Sequence, residues 1–264
     1  MKYLLLIFCF VLTLSLRAQS AFDRPWIDST KAFILDPYSG NVIDFNKIIS
    51  NPRMTGIIHR ASDGLKRDTG FAGRKIQATK KNLLWGSYHL GRPGDPIQQA
   101  DFYLSAINQD SVNVMALDLE DVEDSKFMNM DNAIKFIEHI KQKTGKYPLV
   151  YANQKVVKAI SLKFNKNSVF AKCPLWYARF KNKVTDFPKN VWSTYTVWQF
   201  ACEINCCECI DVECTKHKLN YISKCPYNKG KSTKIEGIKC DMDVNIYNGT
   251  VKNLRQNWNV LGKQ

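Results

Sequence analysis

Val114-Met115-Ala116-Leu117-Asp118-Leu119-Glu120-Asp121 decides the reading of this chain. Four apolar residues lead into acids, with Leu119 set between Asp118 and Glu120. An apolar run with no polar alternation reads as a strand covered on both faces, and its acidic end is where that strand leaves its sheet. Side chains two apart on a strand point the same way, so Asp118 and Glu120 share a face and Leu119 takes the other. Adjacent carboxylates raise each other's pKa, which keeps a carboxylic acid protonated near neutral pH and able to donate. Taken alone, the stretch also fits an ordinary acidic strand-to-loop junction.

Around it the chain reads as strands and helices in alternation. Apolar runs at Ala32–Asp36, Gly56–Arg60, Leu83–Leu90, Val114–Glu120 and Tyr147–Tyr151 each precede a helical pattern. The Asp95-Pro96 pair predicts a helix start, with the acid as N-cap and proline in the first turn, and Gly145 predicts a helix end. Three more strands follow at Pro174–Ala178, Tyr195–Phe200 and Met242–Tyr247, without a helix between the first two of them. This rhythm predicts an α/β fold: an irregular TIM-like barrel of five β/α units followed by three further strands. An open doubly wound sheet is the alternative. The chain lacks Gly-x-Gly-x-x-Gly and P-loop patterns, so a nucleotide-binding version has no support.

The ends of the chain and its cysteines bear on compartment. Residues 1–20 carry Lys2, an apolar run from Tyr3 to Leu16 and the small-residue exit Ala18-Gln19-Ser20, which reads as a signal peptide. The expectation is a secreted protein, extracellular or periplasmic, with residues 21–264 as one barrel domain and no membrane span. Cys9 would leave with the leader. Of the rest, Cys202, Cys206, Cys207, Cys209, Cys214, Cys225 and Cys240 crowd into one segment, and Cys173 stands apart. In an oxidising compartment this reads as a disulfide-rich insertion over 202–240, ahead of the last strand. The rival is a thiolate metal site on Cys206-Cys207-Glu208-Cys209. The formal charge of +14 suits a polyanionic partner such as cell-wall polymer. Its lysines are scattered rather than interleaved with aromatics, so no nucleic-acid partner is expected.

In a barrel of this kind the site lies at the C-terminal ends of the strands. Those ends supply Asp36, Asp63, Tyr88 with His89, Asp118, Glu120, Tyr151, Trp176, Trp198 with Gln199, and Asp243. Acids with aromatics between them suit cleavage of a sugar linkage better than a hard-metal site, because sugar rings stack on aromatic faces and a calcium or magnesium site calls for oxygens. Trp176 and Trp198 also fit a barrel core, and His89 reads as a satisfied buried histidine.

The ordered set Ile34-Leu35-Asp36, Gly86-Ser87-Tyr88-His89-Leu90-Gly91-Arg92-Pro93, Ala116-Leu117-Asp118-Leu119-Glu120-Asp121, Tyr147-Pro148-Leu149-Val150-Tyr151, Pro174-Leu175-Trp176-Tyr177-Ala178-Arg179, Val197-Trp198-Gln199-Phe200 and Asp243-Val244-Asn245-Ile246-Tyr247 resembles the glycoside hydrolase family 25 lysozymes, the Chalaropsis-type muramidases. The resemblance implies hydrolysis of the β-1,4 bond between N-acetylmuramic acid and N-acetylglucosamine, with no metal or cofactor. It assigns Glu120 as general acid. Asp118 would sit beside it, orienting the N-acetyl group or stabilising the charged intermediate. Asp36 and Asp243 match the remaining active-site acids. Tyr151 would line the sugar subsite, the strand ends add Tyr88, Trp176, Trp198 and Asp63 as substrate-binding candidates, and the expected partner is peptidoglycan glycan strands met by a monomer. The chain departs from the family at Arg60-Ala61-Ser62-Asp63-Gly64, where a Lys-Ala-Thr-Glu-Gly pattern is common, and Arg67 stands about where a tyrosine follows. The cysteine-rich insertion could tune the cleft toward modified, for example deacetylated, peptidoglycan. A non-catalytic wall-binding protein on the same barrel is the rival, and a chitinase-like barrel lacks support because its longer Asp-rich strand motif is absent.

Overall fold

Val114–Leu119 is a strand, and its side chains alternate as the pleat requires. Val114 and Ala116 face the inside of a barrel, whereas Met115, Leu117 and Leu119 pack outward against helices. The computed structural model describes residues 21–108, 114–206, 226 and 233–262; the expected leader and residues 207–225 and 227–232 of the insertion lie outside them.

The strands are β1 (Lys31–Leu35), β2 (Met54–Asp63), β3 (Lys66–Arg67), β4 (Leu84–Leu90), β5 (Val114–Leu119), β6 (Leu149–Asn153), β7 (Leu175–Ala178), β8 (Val197–Ala201) and β9 (Val244–Thr250). The helices are α1 (Phe45–Ile48), α2 (Phe71–Lys80), α3 (Pro96–Ala106), α4 (Met130–Thr144), α5 (Gln154–Lys163), α6 (Val169–Lys172), α7 (Glu203–Cys206) and α8 (Val251–Asn257). The sheet runs β1-β9-β8-β7-β6-β5-β4-β2-β3, and β1 also pairs with β2, which closes a barrel. Here β3 is only a hairpin arm folded back from β2, through Ser62–Arg67 and Asp63–Lys66. The expected five β/α units and three further strands are therefore present. Asp63 is the last residue of β2 rather than a loop residue beyond it.

Closure depends on one reversal. The pairs from β1 through β2 and β4 round to β8 are parallel, but β9 is antiparallel to both β8 and β1. A last strand that runs backward enters the barrel at the end where the others leave it.

Local signals account for the helix ends. Asp95 accepts from the N–H groups of Ile97 and Gln98, and Pro96 occupies the first turn of α3. Gly145 ends α4 at φ 72, a left-handed conformation that costs glycine little. The bottom of the barrel is plugged by Trp258, just after α8; it is 2% exposed and donates its indole N–H to Trp85 O at 2.9 Å. A Cβ on Gly86 would stand 3.1 Å from that indole, so glycine makes room for the plug.

Candidate active site

Four acids gather at the open mouth. Asp36 follows β1, Asp118 lies in β5, Glu120 follows β5, and Asp243 precedes β9. Asp243 reaches the mouth from the start of its strand, because β9 runs against its neighbours. Grouping it with strand C-terminal ends was therefore wrong in direction, although the reversal brings it to the same place.

The barrel interior organises Asp36. It is 5% exposed and accepts from Gln199 Nε2 at 2.8 Å and from the side-chain amide of Asn245. Gln199 in turn accepts the Tyr151 hydroxyl at 2.9 Å, and Asn245 Oδ1 accepts the Trp176 indole N–H at 2.6 Å. Asn245 also donates to Ile34 O at 3.1 Å, tying β9 to β1. The chain of bonds thus runs Tyr151–Gln199–Asp36–Asn245–Trp176, along the inward positions of five strands or their ends. Burial pushes the Asp36 carboxyl up to about 7, against the two amide hydrogen bonds, with the Glu120 charge adding to the rise.

The paired acids sit in the same field. Burial, then the charges of Glu120 and Asp36, push Asp118 well above the usual carboxylate range, while Arg60 and Arg92 oppose the rise. Asp118 is 7% exposed, and its buried Oδ1 has no hydrogen-bond partner among the described residues. Burial also raises Glu120, opposed by Arg92. Asp243 is pushed up by burial, then by Asp36, Glu203, Glu120 and Asp118. Burial and mutual repulsion thus favour the protonated forms across the set. A group whose pKa is raised and which remains reachable from solvent is suited to act as a general acid, and Glu120, raised by burial and half-buried, has both features.

The aromatic candidates divide by the pleat. Tyr88 and Tyr151 face inward at the mouth and are each 9% exposed. Trp176 also faces inward but is 1% exposed, standing edge-on to Tyr151 with ring centroids 5.1 Å apart. It is a floor beneath the acids rather than an open platform. Trp198 points the other way. Because Gln199 takes the inward position, its neighbour must face out, and Trp198 is fully buried against Trp26, Tyr177 and Tyr195. Its expected place at the mouth is corrected accordingly. Asp63 holds Arg92 bidentately at 2.5 and 3.1 Å, and that pairing keeps its carboxyl below the usual range. His89 faces outward, bonded to Ser62 and Gln99, and burial pushes it down to about 4.

Asn245, Arg60 and Arg92 were not singled out from the sequence, and Gln199 was noted there only as a neighbour of Trp198. The missed signal was parity: from Asp243, the position two residues on faces the same way. Arg67, the departure from the family pattern, turns away to Ser105 and the Phe102 ring.

Among the described cysteines, Cys173 and Cys202 are free and buried, which removes them from the expected disulfide set. Cys206 and Cys240 are disulfide-bonded; Cys207, Cys209, Cys214 and Cys225 lie outside the described residues, and with them most of the expected thiolate cluster. Cys202, Glu203 and Asp243 bring donor atoms within 4.8 Å of one another. Burial pushes the Cys202 thiol up to about 12, so at neutral pH it offers a proton rather than a thiolate.

The sequence profile of glycosyl hydrolases family 25 matches residues 36–218, from the first acid of the mouth into the insertion. The chain belongs to this family. As a family 25 protein it is a glycoside hydrolase of the lysozyme type, and a peptidoglycan hydrolase. Among solved structures it is similar to a muramidase from Trichobolus zukalii, at 20% identity and a TM-score of 0.58, covering 88% of this chain and 99% of that one. It is also similar to a bacterial lysozyme from Streptomyces coelicolor, at 19% identity and a TM-score of 0.62, covering 89% and 99%. A family 25 glycosyl hydrolase from Bacillus anthracis aligns at 18% identity and a TM-score of 0.58, covering 89% and 95%. At these identities the likeness carries the fold, and the family rests on the profile. No curated protein matches the chain. Among the described residues, no helix of this family 25 barrel is long and apolar enough to cross a membrane.

Proposed function

We propose that this family 25 hydrolase is a secreted muramidase that cleaves the β-1,4 bond between N-acetylmuramic acid and N-acetylglucosamine. The observation that carries the reading is the half-buried Glu120, its pKa raised, beside the buried Asp118 at the barrel mouth. The C1–O bond breaks with its electron pair going to the leaving oxygen, which takes the proton of Glu120. Positive charge develops at C1. The Oδ1 of Asp118, without a partner among the described residues, takes the N–H of the neighbouring N-acetyl group and turns its oxygen toward that charge. Water then adds at C1 and returns a proton to Glu120. Asp36 contributes negative potential from across the mouth as it ionises around its pKa of about 7, burial and the neighbouring acids favour the protonated form of Asp243, and Tyr88 and Tyr151 line the sugar subsite.

Digestion of purified peptidoglycan, with mass spectrometry of the new reducing ends, tests the assignment. Muramic acid ends are expected. Glucosamine ends would overturn it, and binding without products would favour the wall-binding reading. Export is supported by the apolar leader ending at Ala18-Gln19-Ser20, and the mature N-terminus of the exported protein checks it.

The segment between β8 and β9 supports a narrower specificity, toward peptidoglycan lacking some N-acetyl groups. Its described flanks border the mouth: α7 follows β8 directly, and the return strand of chain bonds the loop after β1 through Asn41 Nδ2 to Asp241 O at 3.0 Å and Asp44 N to Gly237 O at 2.7 Å. A protein lacking residues 207–232 that gives the same product profile on native and deacetylated walls would remove this idea.

A further inference from the structure

A cavity of about 650 Å³ is walled by the β2–β3 hairpin, the loop after β4, the start of α3 and Lys126 of the loop after β5. Its charged and polar lining is divided between groups already committed and groups left over. Asp63 is spent on Arg92. Asp95 is spent capping α3. Gln99 is spent on both backbone groups of Arg92. The ammonium groups of Lys66 and Lys126 and the side-chain amide of Gln98 line the same space, and none of the three has a side-chain partner among the described residues. The volume falls in the range of pockets that enclose a small ligand.

Arg92 joins this cavity to the reacting centre. Asp63 fixes its guanidinium, which lies 5.2 Å from the Phe127 ring and acts electrostatically on both Asp118 and Glu120. The preceding residue, Gly91, donates its N–H to Asp118 O at 3.1 Å and accepts from Met128 N at 3.1 Å. A ligand in the cavity would therefore share Arg92 with the paired acids.

We propose that this cavity is a subsite for the stem peptide of a muramic acid residue, whose carboxylates engage Lys66 and Lys126 and whose amides meet Gln98. The proposal rests on the muramidase reading, because the lactyl ether of muramic acid is what would place a peptide beside the scissile bond. The chemistry favours a peptide over a polyphosphate. The lining mixes Lys66, Lys126 and Arg92 with Asp63 and Asp95, which suits separate carboxylates joined by amides and would repel a dense anion. Specificity here would lie in the substituent rather than in the glycan.

The test compares kcat/KM of the wild type and of the Lys66→Glu/Lys126→Glu protein on two substrates: peptidoglycan with its stems, and the same glycan strands after an amidase has removed them. Both lysines are exposed, so the fold is spared. A Lys66→Gln/Lys126→Gln protein separates lost attraction from added repulsion. The expected result is a loss of roughly tenfold or more on stem-bearing strands, the scale of lost charge-assisted hydrogen bonds, and no change on stripped strands. Equal loss on both substrates, or no loss, would overturn the subsite. Should the wild type cleave neither substrate, the muramidase reading fails by itself. Calorimetric binding of a soluble disaccharide tripeptide then decides the subsite, supported by stem-dependent binding that the variant loses and overturned by its absence.

Discussion

Gln199 donates to the Asp36 carboxylate at 2.8 Å, across the barrel from one inward strand position to the end of another. That bond lowers the pKa of Asp36, against the burial that lifts it to about 7. Replacing Gln199 with leucine removes the donor and leaves Asp36 deeper in its protonated form. The charge that Asp36 offers the mouth is then lost at a higher pH. The acid limb of the kcat/KM profile should move toward alkaline pH, with about a tenfold loss at pH 6 and a smaller one at pH 8. An unshifted limb would detach Asp36 from the reaction.

Glu120→Gln keeps the shape of the side chain and removes its transferable proton. Turnover should fall by at least about 100-fold, the usual worth of a positioned acid, while binding to intact walls persists. In the wild type, activity should decline as pH rises through the raised pKa of Glu120, since the reactive form is protonated. Product release by the Gln variant at the wild-type rate would assign the proton elsewhere.

Buried acids also set the pH dependence of stability. Asp36, Asp118, Glu120 and Asp243 have folded pKa values raised above their unfolded ones. Between the unfolded value of 3.8 and about 7 for Asp36, the folded state binds more protons than the unfolded state, so stability falls as pH rises through this window. Acids held low by arginines, such as Asp63, are ionised in both states over most of it and do not cancel the trend. Asp118→Asn removes one buried ionisable group. It should flatten the decline and raise Tm at pH 7 by about 2–4 °C, the shift that about 1 kcal/mol gives in a chain of this size. Calorimetry across pH 4–8 checks both slope and offset, and the same variant should lose activity.

Trp258→Ala opens the bottom of the barrel, far from the acids. Loss of a buried tryptophan costs about 3–5 kcal/mol, and here the carbonyl of Trp85 also loses its donor. Denaturant unfolding should show that loss, with kcat near the wild-type value where the variant remains folded. A matching fall in kcat would mean that the plug supports the mouth as well.

Much of this protein was legible in one dimension. Five strand–helix alternations followed by three strands pointed to a barrel over an open doubly wound sheet, and the Asp118-Leu119-Glu120 spacing determined that two acids share a face, because the strand period is a local property of the backbone. Asp95 as a cap and Gly145 as a terminator are local for the same reason. Long-range pairing was not legible. The reversal of β9, which brings Asp243 and Asn245 to the mouth, depends on which strands close the barrel and not on the residues of β9. The inward turn of Gln199 and the outward burial of Trp198 follow from the register that closure imposes, since a shift of one residue exchanges the two faces. The sequence by itself determined which residues could do acid chemistry. Only the tertiary structure decided which of them meet, because burial and mutual repulsion, the forces that raise Asp36, Asp118 and Asp243 together, exist only once the barrel has closed around them.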